Sequence, residues 1–123
     1  MSPEQAAEFA HDWVESWNAH DLNRIMAHYA EELDFCSPLI QQLGADASGT
    51  LHSKEALRAY FATGLDRYPN LRFELQQVLP GVQSVVLYYR SINDWPAAEY
   101  MELNAQGRVQ RVRAHYAAPA AGH

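Results

Sequence analysis

The chain has 123 residues, of which 48% are hydrophobic and 20% charged, and its formal net charge is −6. Those values describe one globular domain with no surplus for a second core, and they exclude disordered and collagen-like chains. The acidic balance leaves no cationic footprint for nucleic acid, and the single cysteine, Cys36, excludes an intrachain disulfide or a thiolate-rich metal site. No apolar run approaches the roughly 18 to 20 residues that cross a bilayer. Met1-Ser2-Pro3-Glu4-Gln5 lacks the basic and apolar stretches of a signal peptide, so the expected location is cytoplasmic.

Ser2 before Pro3 is a helix start, and Gln5 completes a capping box. Ala6, Phe9, Ala10, Trp13 and Trp17 then recur at helical spacing, giving the first helix a wide aromatic stripe. Asp21 caps a second helix carrying Leu22, Ile25, Met26 and Tyr29. Glu32 to Ser37 reads as a short edge strand stopped by Pro38, and Pro38 to Leu51 has no clean period and reads as a candidate lid. Ser53 caps a third helix with Leu57, Tyr60, Phe61 and Leu65, closed by Tyr68-Pro69.

After Pro69 the period falls to two. Leu71, Phe73 and Leu75 alternate with Arg72, Glu74 and Gln76, and further strands follow at Val85 to Ile92, Ala97 to Leu103 and Val109 to Tyr116. Turn signals separate them, with Asn93-Asp94 read as a two-residue hairpin, so the four form an antiparallel meander. Bulky or charged side chains on both faces of the last three strands predict that helices and a pocket cover one face and a second subunit the other, making a homodimer. The domain is expected to end near 117, with a frayed Ala/Pro/Gly tail over 118–123.

The run Trp17-Asn18-Ala19-His20-Asp21-Leu22, the strand end Phe35-Cys36-Ser37-Pro38, the helix from Ser53 to Phe61 and the closing strand Gly107 to Tyr116 together resemble the nuclear transport factor 2-like superfamily. The SnoaL-like polyketide cyclases and ketosteroid isomerase are its most similar branches. The resemblance implies an α+β fold, a cone-shaped barrel in which three N-terminal helices pack on a strongly curved antiparallel sheet around an apolar pocket. It also implies a small hydrophobic, carbonyl-bearing ligand, no cofactor, and proton transfer of the isomerase, cyclase or dehydratase type. By the same resemblance Trp13 stands where ketosteroid isomerase has its tyrosine donor, Ser37 where it has its carboxylate base, and Glu99 where it has its protonated carboxylic acid. Serine cannot take a proton from carbon unaided, and an indole N–H is a weaker donor than a phenol, so the isomerase mechanism is not expected to operate here: the fold carries over and that activity does not.

Glu99 is the leading candidate on its own merits. Alternation puts it on a face with Met101, and the two-residue hairpin would set it near Tyr88 and Arg90. Desolvation would make it a neutral acid, whereas a pairing Arg90 would make it an anchoring charge or half of a buried ion pair. Tyr29, Tyr60, Tyr88 and Tyr116 with Trp13 and Trp17 either line a cavity for a flat ring or form plain core. The candidate site therefore comprises Glu99, Tyr88 and Trp13 as reacting groups. Its expected lining is Trp17, Tyr29, Phe35, Ser37, Tyr60, Phe61, Arg90, Met101, Val112, Ala114 and Tyr116. The six histidines show no metal-binding spacing, and no metal is expected. His115 faces inward or outward according to the register of the last strand, and Asp34 is a second acid-base candidate. Arg108, Arg111 and Arg113 read as solvated or paired arginines. A non-catalytic binding or assembly domain, its pocket filled by its own rings, is the competing reading.

Overall fold

A computed structural model describes residues 1–117; the tail expected over 118–123 lies outside them. The first helix, α1, spans Pro3–Asn18 and begins as its sequence dictates. The Ser2 hydroxyl accepts from the Gln5 backbone N–H at 3.1 Å, and the Gln5 side chain accepts from the Ser2 N–H at 2.9 Å. Its buried face is Ala6, Ala10, Trp13, Val14 and Trp17, with Phe9 only half-buried at the margin. Asp21 caps α2, Leu22–Met26, through the Arg24 N–H.

The second helix stops earlier than its apolar period predicts. Tyr29 opens a strand instead, β1, Tyr29–Cys36, which lies between two partners and gains a ladder on each side. Those non-local hydrogen bonds override the local helical pattern. The predicted lid is also replaced. Pro38–Gln42 forms a short helix, α3, capped by the Ser37 hydroxyl on the Leu39 N–H at 3.2 Å, and Thr50–Ser53 forms β2. Leu39, Ile40 and Leu51 are buried, so this segment is pinned by its own apolar residues.

Ser53 caps α4, Lys54–Arg67, by accepting from the Ala56 N–H, and Leu57, Tyr60 and Phe61 face the core. Residues 71–73 do not join the sheet ladder. Their backbone is held by α1: Asn18 donates to the Phe73 carbonyl at 2.9 Å and accepts from the Phe73 N–H at 2.6 Å. The meander proper is β3, Glu74–Gly81, β4, Ser84–Arg90, β5, Pro96–Leu103, and β6, Val109–Tyr116.

The strand order β2-β1-β6-β5-β4-β3 makes one six-stranded, curved, open sheet. All neighbours are antiparallel except β1 and β6, which run parallel, so the sheet is mixed where an antiparallel one was expected. With four helices in place of three, the α+β cone class stands. Along β5 burial alternates strictly: Ala97, Glu99, Met101 and Leu103 face the helices, and Pro96, Ala98, Tyr100 and Glu102 face away. Among the described residues no helix is long and apolar enough to cross a membrane.

Candidate active site

The helical face of the sheet closes on a cavity of about 60 Å³. Trp13 and Trp17 come from α1, Phe35 from β1, Leu39 and Leu43 from α3 and its end, and Tyr60 and Phe61 from α4. Leu71 and Phe73 precede β3, Tyr89 lies on β4, Ser91 and Ile92 follow it, and Glu99 and Tyr116 come from β5 and β6. The rings pack edge to face and in offset stacks, with Trp17 4.7 Å from Phe61, Phe73 4.9 Å from Tyr89, and Trp13 stacked on Phe73 at 5.6 Å.

Among the described residues Glu99 is the one carboxylate in this lining, and it is 3% exposed. Tyr89 donates its hydroxyl proton to Glu99 Oε1 at 2.7 Å. No ion pair holds Glu99 among the described residues, since each salt bridge lies elsewhere. Burial therefore dominates: it raises the Glu99 pKa from 4.5 to about 7, with the Tyr89 hydrogen bond opposing the rise. The surrounding phenols of Tyr29, Tyr60, Tyr89 and Tyr116 are all pushed upward, chiefly by the same desolvation, and remain donors at every physiological pH. The Ser37 hydroxyl lies beside Tyr60 and Tyr116, joining the rim of this polar cluster. Two further lining residues, Trp17 and Ser91, carry buried polar atoms, Nε1 and Oγ, that have no hydrogen-bond partner among the described residues. An unmet buried donor costs about 1 to 3 kcal/mol, so these atoms favour a guest that can satisfy them.

The expected placements divide sharply. Trp13, Trp17, Phe35, Tyr60, Phe61, Glu99 and Tyr116 meet at the cavity. Tyr29, Met101, Val112 and Ala114 lie in the core beside it, and Ser37 is buried as the α3 cap. Two positions need correction. Tyr88 faces outward at 39% exposure, and Arg90 is half-buried on the same outer face, with its guanidinium donating to the Asp94 carbonyl at 3.4 Å. The cause is the β4–β5 connection. Arg90 pairs with Pro96 and Leu87 with Glu99, leaving five residues, 91–95, in the turn where a two-residue hairpin was expected. The change shifts the register by one residue, and one residue exchanges the faces. Tyr89 takes the place assigned to Tyr88, and the Arg90–Glu99 ion pair does not form.

Trp13 needs a smaller correction. Its ring lines the cavity, but its indole N–H already donates to the Tyr29 hydroxyl at 3.1 Å, so it is not a free donor. Trp17 Nε1, in contrast, is buried with no hydrogen-bond partner among the described residues. His115 is exposed and points away from the cavity. Asp34 lies in a different setting, 3.2 Å from Arg113 and 3.9 Å from Arg111, and the Arg113 hydrogen bonds hold its carboxyl below the ordinary value. No group of three His, Cys, Asp or Glu side chains gathers as a metal-binding set among the described residues.

Comparison with known proteins agrees with this architecture. The model of the SnoaL-like domain matches residues 10–118. A SnoaL-like protein of unknown function from Burkholderia thailandensis is 38% identical, with 95% of this chain and 98% of that one covered and a TM-score of 0.91. Two more distant structures are each 18% identical and share the fold. One is a candidate isomerase of the SnoaL-like family from Agrobacterium tumefaciens, with 94% and 99% of the two chains covered and a TM-score of 0.75. The other is an epoxide hydrolase/cyclase-like enzyme with a role in pyran ring formation in the polyether salinomycin, with 95% of each chain covered and a TM-score of 0.74. No curated protein is similar enough to count as a match. On the domain match over most of its length and the 38% identity to the Burkholderia protein, the chain belongs to the SnoaL-like family.

Proposed function

We propose that this protein is a cofactor-independent enzyme of the isomerase or cyclase type that moves a proton on a small hydrophobic carbonyl-bearing molecule, with Glu99 as the proton carrier. The observation that carries this reading is a buried carboxyl in an aromatic cavity, raised to about 7 by desolvation, with a single hydroxyl donor and no cation beside it. A group poised near neutral pH is half protonated, and it can give a proton to one atom and take one from another. The Trp17 N–H, without a partner among the described residues, is the donor that would stabilise negative charge on a substrate oxygen. Ser37 is engaged in capping α3, so a second carboxylate at that position, as in the two-carboxylate scheme, is replaced by a structural hydroxyl. A single group then serves as acid and base in turn. The isomerase and cyclase relatives support the reaction class.

The test is hydrogen–deuterium exchange at the carbon beside the carbonyl of 2-indanone in D2O, followed by proton NMR. The wild type is expected to accelerate exchange with an inflection near pH 7, and Glu99→Gln to reduce it by about 100-fold or more, the usual scale of general acid–base catalysis. Equal rates in both proteins would remove Glu99 from the mechanism. The competing reading, binding without turnover, is favoured by the capping hydroxyl of Ser37 where the resemblance would put a carboxylate base. It predicts saturable binding of 2-indanone with no enhanced exchange in either protein. We further propose a cytoplasmic homodimer joined through the outer sheet face, where Tyr88 and Leu79 remain exposed; sedimentation equilibrium at micromolar concentration would show a monomer if this is wrong.

A further inference from the structure

A cavity of about 60 Å³ is small beside the roughly 300 to 1,000 Å³ of a typical ligand site. A molecule with more than a few heavy atoms must therefore extend beyond it. Immediately adjoining is a groove of about 440 Å³ that shares Tyr68, Leu71, Ser91 and Ile92 with the cavity lining. Its remaining walls carry Arg67 at the end of α4, Arg72 before β3 and Arg90 at the end of β4. Three of the chain's nine basic residues thus meet at one place in a protein of net charge −6.

Glu74 and Asp94 share the groove, leaving one positive charge in excess. Neither is paired with the arginines: among the described residues no ion pair involves Arg67, Arg72 or Arg90. Glu74 instead accepts from the Gln76 side chain at 3.1 Å, and Arg90 reaches only the Asp94 carbonyl oxygen. The boundary between cavity and groove holds Ser91, 4% exposed, whose hydroxyl has no partner among the described residues. A buried hydroxyl without a partner among the described residues, set between an apolar cavity and guanidinium groups that no ion pair engages, has a hydrogen bond to offer a polar atom of a ligand. Glu99 lines the cavity and not the groove, so an anion seated in the groove avoids its carboxylate.

We propose that the natural ligand is an amphipathic organic carboxylate: its apolar end enters the aromatic cavity and its carboxylate lies in the groove, held by Arg67, Arg72 and Arg90 with the Ser91 hydroxyl at the junction. This rests on the cavity being the ligand site and adds the substrate's charge and its direction of entry. Guanidinium groups suit the anion because their planar fork matches a carboxylate's two oxygens.

The test compares trans-cinnamate with cinnamyl alcohol, which share a skeleton and differ in charge, by isothermal titration calorimetry at low and high salt. Cinnamate is expected to bind about tenfold or more tightly at low salt, the scale of a charged hydrogen-bonded contact, with the preference shrinking as salt screens the groove. Replacing Arg67, Arg72 and Arg90 together with glutamine should abolish the preference and leave the alcohol's affinity unchanged. Ser91→Ala should weaken cinnamate while circular dichroism stays unaltered. Equal binding of acid and alcohol by the wild type would overturn the carboxylate assignment alone. Failure of both probes to bind would overturn it together with the cavity reading, and a preference surviving in the triple variant would place the anion elsewhere.

Discussion

Two carboxylates on the same sheet experience opposite chemistry. Glu99 on β5 points into the aromatic layer, loses its water and meets one phenol; Asp34 on β1 keeps a side-chain exposure of 35% and lies beside two guanidinium groups. The first is raised to about 7, and the second is lowered. What separates them is the face each residue occupies and the company that face supplies, because the two carboxyl groups start within one unit of each other, at 4.5 and 3.8. The dry face holds a carboxyl poised near neutral pH, and the wet face makes a strut between β1 and β6.

The contrast would be broken most forcefully by opening the dry face. Trp13→Ala removes a ring that contacts Phe73 and Tyr89, and it should destabilise the fold by about 3 to 5 kcal/mol in urea unfolding. Water entering the space should also bring Glu99 back toward an ordinary carboxylate value, read by NMR titration. Next in size is the pH dependence carried by Glu99. Between about pH 4.5 and 7 the native state keeps a proton that the unfolded chain has released, so stability should fall as pH rises through that window, by about 3 kcal/mol in all. Glu99→Gln stays neutral, and its unfolding free energy should match the wild type at pH 4 and exceed it at pH 8.

Tyr89→Phe isolates the hydrogen bond. Loss of the phenol should cost about 2 kcal/mol at pH 8, where it serves a charged acceptor, and less at pH 5. It should move the Glu99 midpoint upward, because the bond favours the carboxylate. The smallest effect belongs to the wet face. Asp34 is lowered, so its contribution is present above its ordinary 3.8 and lost as pH falls below it. Asp34→Asn should cost less than about 1 kcal/mol, with the difference shrinking in high salt.

The parts of the molecule written in local chemistry were legible from the sequence. The Ser2 capping box, the Ser53 cap and the strict alternation of β5 are each set within a few residues. The parts decided by distant partners were not. Tyr29 fits a helical stripe, yet it lies in a strand because β6 pairs with it; Leu39 and Ile40 lie in a segment without clear period, yet burial fixes them. At the candidate site, Glu99 and the aromatic residues could be found by type and alternation. The identity of its partner could not, since Tyr88 and Tyr89 differ only by the count of residues in the turn before β5. That count depends on Asn93 and Asp94, both at positive φ, folding into a five-residue connection. Asn and Asp tolerate that region, which was the one available hint.

The parallel ladder between β1 and β6 has a consequence for the birth of the protein. Asp34 and Arg113 are 79 positions apart, and Phe35 faces the cavity from the strand that waits for this pairing. During synthesis the early helices and hairpins emerge long before the segment that completes the central ladder, so the chamber cannot be assembled until the last strand leaves the ribosome. A chain truncated ahead of Val109 would leave one flank of β1 without its mate, with backbone groups open to any passing strand. For this fold the final eight residues of the sheet are the keystone, set in place last.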